Sequence, residues 1–228
     1  MYQRFANRIE GGKVLAADLL KFKDRKDAVV LALPRGGVPV ACEVAKALNL
    51  PLDIFMVRKL GVPFREELAF GAVASGNVTV LNKSLINTFR IPDSVIKKTL
   101  EKEKAELMRR EAAYRQDGLQ IDLKNKIVII VDDGIATGAS MKAAVVAIRQ
   151  LDPKQIVVAA PVASQDACTA MQKNTNEQCI CTISPEPFRG VGAWYDDFEQ
   201  TRDAEVCHLL ESANQTVVQK HPKHAALH

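Results

Sequence analysis

The chain contains no Cys-x-x-Cys pair, so the spacing that most readily builds a zinc site or a dithiol redox centre is missing. Its five cysteines, Cys42, Cys168, Cys179, Cys181 and Cys207, are an odd number at irregular spacing. Cys42 and the Cys179/Cys181 pair fall in apolar segments, where a thiol behaves as a small hydrophobe. Cys179 and Cys181 would point to one face of a strand, but two ligands do not make a metal site. A reducing compartment follows, and the cytoplasm is the expected one. Long hydrophobic runs are equally scarce. Stretches such as Ile127 to Val131 are far too short to cross a bilayer, and Met1 to Phe5 lack the apolar run of a signal peptide, so neither insertion nor secretion is expected. Charge of one sign is not in excess: a net +4 gives no concentrated basic face for nucleic acid or an anionic membrane. No internal repeat is evident. What remains, 47% hydrophobic and 25% charged over 228 residues, suits one well-buried α/β core.

Apolar strands alternate with helical spacing along most of the chain. Asn7 to Phe22 reads as a helix weakened by Gly11-Gly12, Val29 to Leu33 as a strand, and Val38 to Leu48 as a helix. Leu52 to Val57 is a second strand, and Arg58 to Glu67 follows as a charged loop. Ala69 to Ala74 and Val78 to Leu81 read as a hairpin about Ser75-Gly76-Asn77. A long charged helix starts near Pro92-Asp93-Ser94 and stops before Asp117-Gly118, with Glu106/Arg110 and Glu111/Arg115 as i,i+4 pairs. Leu100, Leu107 and Tyr114 line one side of it. That stripe packs the helix on its own domain or, alternatively, makes a homodimer contact. Strands at Lys126 to Val131, Gln155 to Pro161 and Gln178 to Ile183 alternate with helices at Gly138 to Gln150 and Gln165 to Lys173. This order predicts a parallel, doubly wound α/β sheet, with ligands beyond the carboxyl ends of its strands. The expected organisation is one domain over 1–211, with a helical insertion at about 84–118 and an irregular hood at about 184–200. A closing helix spans Asp203 to Leu210, and a polar, disordered tail at 212–228 carries His221, His224 and His228.

Two strand-to-helix loops carry the chemistry. In the first, Val128 to Val131 run into Asp132-Asp133-Gly134-Ile135-Ala136-Thr137-Gly138-Ala139-Ser140. A carboxylate pair is costly inside a sheet, so it belongs at the strand's exposed end, where it can accept from two vicinal sugar hydroxyls. Ala136, Thr137, Gly138, Ala139 and Ser140 then supply hydroxyls and open N–H groups at a helix N-terminus, a cradle for a phosphate dianion. No Lys follows the glycine, so this is not a Walker loop. An Asx-turn and helix cap would explain one Asp, but less readily two followed by Gly and Thr-Gly. In the second loop, Leu31 to Leu33 lead through Pro34 into Arg35-Gly36-Gly37. An Arg beside open N–H groups favours pyrophosphate, whereas Gly-Gly alone is often only a turn. Arg58 and Lys59 stand at a strand end, with plain solvent exposure as the bland alternative. Trp194-Tyr195 can stack on a planar base or form a small core of its own. No G-x-G-x-x-G follows the first strand, which excludes the dinucleotide fingerprint.

These loops, in this order, resemble the type I phosphoribosyltransferases, and the span from Phe5 to Leu210 is similar to a bacterial group of predicted phosphoribosyltransferases. Its shared blocks are Leu-Pro-Arg-Gly-Gly-Val-Pro-Val, Val-Arg-Lys-Leu-Gly-Val-Pro and Gly-Ala-Trp-Tyr. The resemblance implies the type I fold with a small hood, and a donor, 5-phosphoribosyl 1-pyrophosphate (PRPP), used with Mg2+ and a small heterocyclic acceptor in nucleotide metabolism. It places Asp132 and Asp133 on the ribose hydroxyls and Ala136 to Ser140 on the 5-phosphate. Arg35, Gly36 and Gly37 would hold pyrophosphate, with a strained Arg35–Gly36 peptide turning its N–H toward it. Arg58 and Lys59 belong to the region that supplies the family's mobile catalytic loop, and Trp194 and Tyr195 to the hood over the base. No protein residue is implied with certainty as a metal ligand. Ala136 stands where 6-oxopurine enzymes carry an Asp, which weakens that acceptor class. The expected function is phosphoribosyl transfer to a nitrogenous base with release of pyrophosphate. The alternative is a non-catalytic PRPP-sensing regulator on the same fold.

Overall fold

The structure is a computed structural model that describes residues 4–62, 65–115, 121–175 and 177–220. Five parallel strands form the main sheet: β1 (Ala28–Ala32), β2 (Leu52–Ile54), β6 (Ile127–Val131), β7 (Gln155–Val162) and β8 (Gln178–Ile183), in the order β2-β1-β6-β7-β8. β1 and β6 are buried along their whole length. Their side chains alternate between two apolar layers. Ala28, Val30, Ala32, Ile127, Ile129 and Val131 face one, and Val29, Leu31, Val128 and Ile130 face the other. Strands buried on both faces have no polar positions to spare, which is why both read as unbroken apolar runs.

Helices α1 (Arg8–Asp18) and α2 (Gly37–Leu48) pack together in the first layer, and α7 (Asp203–Lys220) packs on α2. Gly11 and Gly12 make the first of these contacts possible. A Cβ on Gly12 would lie 2.7 Å from the Val40 carbonyl oxygen, and one on Gly11 would press on Pro161 and the Tyr195 hydroxyl. The feature that weakens α1 as an isolated helix is what seats it. Helices α5 (Ala139–Arg149) and α6 (Gln165–Thr175) cover the second layer. The chain leaves β1 toward β2 on one side and β6 toward β7 on the other, so β1 and β6 flank a topological switch point, where such sheets bind ligands.

A second, antiparallel sheet, β3 (Val57–Val62), β4 (Arg65–Ala74) and β5 (Val78–Leu81), lies between α4 (Asp93–Tyr114) and α5, preceded on the α4 side by α3 (Lys83–Thr88). This corrects the sequence expectation of a charged loop at Arg58 to Glu67. Arg58 pairs with Val73 and Lys59 with Ala72 in a β3–β4 ladder with a bulge at Leu60/Gly61. The alternation of Arg58, Leu60 and Val62 toward α4 was masked by the adjacent charges of Arg58 and Lys59 and by Gly61. Pro63 and Phe64, and the helix stop at Asp117-Gly118, lie outside the described residues. The α4 stripe packs inward, with Leu107 and Tyr114 buried and Leu100 partly so, and both expected i,i+4 ion pairs form. α7 continues past Leu210 to Lys220, through the start of the segment expected as a tail; His221, His224 and His228 lie outside the described residues. Among the described residues, no helix is long and apolar enough to cross a membrane.

Candidate active site

Asp132 and Asp133 directly follow β6, beyond its last buried residue, and both are half-buried rather than enclosed. The Asp132 N–H donates to the Ala159 carbonyl of β7, which holds the strand end in the sheet. Its Oδ1 accepts from the Asp133 N–H at 2.9 Å. Asp133 Oδ2 receives the Nε–H of Arg8 at 2.8 Å, and its carbonyl receives the Tyr195 hydroxyl at 2.6 Å. Burial, and then the neighbouring Asp133 carboxylate, push the Asp132 carboxyl well above the ordinary carboxylate range. Burial also raises Asp133, against the opposing pull of Arg8. Two adjacent carboxyls both held above their ordinary range are a pattern common at functional sites.

The loop that follows is open where a phosphate would sit. Ala136, Thr137, Ala139 and Ser140 are exposed, and the Ala139 N–H meets the Thr137 hydroxyl at a long 3.4 Å. Gly138 caps α5 at φ +71°, a left-handed conformation that glycine adopts without cost, and the nearest atoms to a Cβ there would be 3.5 Å away. The loop is anchored from behind by Ser164, whose hydroxyl donates to the Ala136 carbonyl at 2.7 Å and whose N–H donates to Ile135.

The second loop packs on the first. Gly36 lies so close to the Asp133 carboxylate that any Cβ would collide with it. A Cβ on Gly37 would meet the Val131 carbonyl at 2.7 Å and Asp132 Cα at 3.0 Å. Both glycines stand at the start of α2, so the N-termini of α2 and α5 flank the acid pair on adjacent strands. The cis peptide of this loop is Pro34–Arg35, one bond earlier than the Arg35–Gly36 peptide that the resemblance singled out. Arg35 reaches toward Asp203 at the start of α7, 3.5 Å away.

Four sequence candidates stand in the β3 strand and in the small aromatic core. Arg58 donates its Nε–H to Glu103 of α4 at 2.6 Å, and Glu103 is buried. Lys59, next along the strand, is exposed. Tyr195 is 1% exposed, packed against Phe5 and stacked on Phe198 at 5.1 Å, so its ring belongs to a small core under the acid loop. Trp194 is half-buried beside it, in a 3-10 turn (Val191–Trp194), and Val191 of that turn presses on Gly134.

Arg8 is the residue that sequence reasoning missed. It lies on α1, 125 positions from its partner, in a segment that reads only as an amphipathic helix. Its guanidinium also sits 3.9 Å above the Phe198 ring and donates to the Glu199 carbonyl. The signal was faint: the N-terminal segment pairs with the hood, Phe5 to Trp194 and Asp196 to Phe5, which no local pattern announces.

Two helix N-termini on adjacent parallel strands thus flank a pair of neighbouring carboxylates at the switch point of the sheet. The chain belongs to the phosphoribosyl transferase domain family, whose profile matches residues 2–192. Proteins from two strains of Mycobacterium tuberculosis, CDC 1551 and H37Rv, both provisionally named phosphoribosyl transferases, are 41% identical over 210 residues, which is 92% of this chain and 47% of theirs. The chain thus spans about half the length of these curated relatives. The crystal structure of TT1426 from Thermus thermophilus is 37% identical with a TM-score of 0.81, covering 92% of this chain and 99% of that one.

Proposed function

We propose that the protein transfers a 5-phosphoribosyl group from PRPP to a ring nitrogen of a small heterocycle, with Mg2+, and releases pyrophosphate. The observation that supports this reading is the packing of Gly36 and Gly37 against Asp133 and Asp132, which brings the loop proposed for pyrophosphate within one side chain of the carboxylates proposed for ribose. The C1–O bond to pyrophosphate breaks, positive charge builds on the ribose, and the acceptor nitrogen forms the new C1–N bond from the opposite face. Asp132 and Asp133 accept from the 2- and 3-hydroxyls and fix the ring. The loop Ala136 to Ser140 at the start of α5 holds the 5-phosphate. Arg35, Gly36 and Gly37 hold the leaving pyrophosphate through the Arg35 guanidinium and the close backbone approach the glycines allow, the Gly37 N–H itself being given to the Leu33 carbonyl. Such chemistry rests on positioning and charge neutralisation, not on a protein nucleophile.

The donor set suits magnesium. Asp132 and Asp133 offer hard oxygens nearby but make no carboxylate cage, so the ion would be held mostly by substrate oxygens and water. When bound, the ion neutralises charge on the departing pyrophosphate.

Incubation with PRPP, Mg2+ and a panel of nucleobases and other nitrogen heterocycles tests the reading. Pyrophosphate release that depends on one acceptor is the expected result, and it should disappear in Asp132→Asn and Asp133→Asn proteins that remain folded. Tight PRPP binding with no turnover across the panel would replace the enzyme with a donor-sensing regulator. Undiminished rates in both Asn variants would remove the carboxylates from the site.

A further inference from the structure

A second chemistry-bearing cluster lies at the α6–β8 edge of the main sheet and uses none of the residues of the acid loop. Cys179 and Cys181 sit two apart on β8 and therefore share a face, and Cys168 reaches them from α6. Their sulfurs form a triangle with sides of 3.0 Å (Cys168–Cys181), 3.6 Å (Cys179–Cys181) and 3.8 Å (Cys168–Cys179). All three thiols are free and half-buried. Two cysteines on one strand did not amount to a site in the sequence; the third ligand comes from a different element.

We propose that Cys168, Cys179 and Cys181 form a three-thiolate site for a thiophilic closed-shell cation, zinc(II) or copper(I). Around an ion with metal–sulfur bonds of about 2.3 Å, tetrahedral ligands stand about 3.8 Å apart. Two sides of the triangle already have that span. The third, at 3.0 Å, is a sulfur–sulfur hydrogen-bond contact that a bound ion would open. An all-sulfur donor set selects soft metals over magnesium or calcium. The Ser184 hydroxyl lies 3.9 Å from Cys168 Sγ, at the edge of the trio. Zinc would use that oxygen or a water to complete a tetrahedron, whereas copper(I) is satisfied by the three sulfurs.

The site would clamp α6 to β8. That clamp lies behind the phosphate loop, because Ala167 and Met171 of α6 are among the side chains nearest Gly138, and Ser164 just before α6 holds the Ala136 carbonyl. Occupancy should therefore stiffen the wall on which the 5-phosphate loop rests.

The test loads the full chain, reduced and under anaerobic conditions, with zinc(II) in one arm and copper(I) in the other. After gel filtration, elemental analysis counts metal per chain. One equivalent should be retained by the wild type and by Cys42→Ser and Cys207→Ser, and lost in Cys168→Ser, Cys179→Ser and Cys181→Ser. The wild type provides a readout independent of variant folding: bound metal should slow alkylation of Cys168, Cys179 and Cys181, followed by mass spectrometry, while leaving Cys42 and Cys207 unprotected. Cobalt(II) substitution should give sulfur-to-metal charge-transfer absorption. Equal retention by the Cys168→Ser protein, or unchanged alkylation with either metal, would overturn the proposal. So would a Cys168–Cys181 disulfide formed on air exposure in a chain that retains neither ion, since the trio would then be a redox pair with a bystander.

Discussion

The Arg8 guanidinium lies 2.8 Å from Asp133 Oδ2, with only 12% and 15% of the two side chains exposed. A helix at the N-terminus thus holds one of the two carboxylates proposed to bind ribose. Removing one partner of a buried pair leaves a desolvated charge behind, which costs about 3–5 kcal/mol when burial is complete. The residual exposure here places Arg8→Ala nearer about 2 kcal/mol. Arg8→Lys keeps the charge but not the geometry of the Nε–H donor, and should recover only part of the loss. Urea unfolding of the three proteins measures this, and PRPP titration should show weaker donor binding in the same order. Equal stability of Arg8→Ala and wild type would make the pair incidental.

The acid pair gives the stability curve a definite sign. A carboxyl whose folded pKa is raised holds its proton more tightly in the folded protein than in the unfolded chain. Its contribution is fully present below the unfolded value of about 4 and is lost as pH rises through the raised folded value. Burial raises both Asp132 and Asp133, so the ligand-free protein should lose stability over that window. Asp132→Asn removes the charge that burial penalises and relieves Asp133 of its neighbour. The variant should melt above the wild type at neutral pH, and the difference should shrink toward zero as pH falls below about 4. Differential scanning calorimetry across that range checks it. A wild type more stable than Asp132→Asn at neutral pH would mean that Asp132 has compensating partners in the free protein.

The glycines separate two physical causes that a conservation argument would merge. Gly37→Ala sets a methyl against the Val131 carbonyl and Asp132 Cα, backbone that cannot yield, so overpacking should cost about 1–3 kcal/mol. Gly138→Ala meets nothing nearer than 3.5 Å, and its penalty comes from the left-handed backbone alone, about 1–2 kcal/mol. Asn tolerates that conformation, so Gly138→Asn should be milder than Gly138→Ala, whereas Gly37→Asn should be worse than Gly37→Ala. Thermal melts of the four variants test the crossover.

What the sequence made legible follows from where the information is local. Both site loops sit at strand-to-helix junctions, where a run of apolar residues must end and a helix must be capped, so Asp132 to Ser140 and Arg35 to Gly37 announce themselves within a few residues. The parallel sheet was readable for the same reason. The β3–β4 ladder was not, because Arg58 and Lys59 stand side by side in it and the Arg58 partner, Glu103, lies on a distant helix. Arg8, Glu103 and the three-sulfur cluster were beyond reach, since each depends on a partner brought in by tertiary packing. The aromatic pair held both readings in the sequence; in the structure the Tyr195 ring, 1% exposed, is packed in the small core, while Trp194 is half-buried.

Arg58 decides between the two roles left to it. Its guanidinium is held by Glu103, whose side chain is 12% exposed, and the pair ties β3 to α4. If that contact is its role, Arg58→Ala and Glu103→Ala should each destabilise by about 1–3 kcal/mol, by stranding a partly buried charge. The double variant should then cost less than the sum, with a coupling energy above about 0.5 kcal/mol. Once corrected for the folded fraction, turnover by the Glu103→Ala protein should match wild type, because Glu103 pairs with Arg58 and its helix neighbour Lys102 and has no part in the proposed site. Turnover by Arg58→Ala should match it too. A fall in kcat for Arg58→Ala of about tenfold or more, with Glu103→Ala unaffected, would instead return Arg58 to the reacting centre. It would then have to leave Glu103 when substrate arrives, and the ion pair would be a resting position.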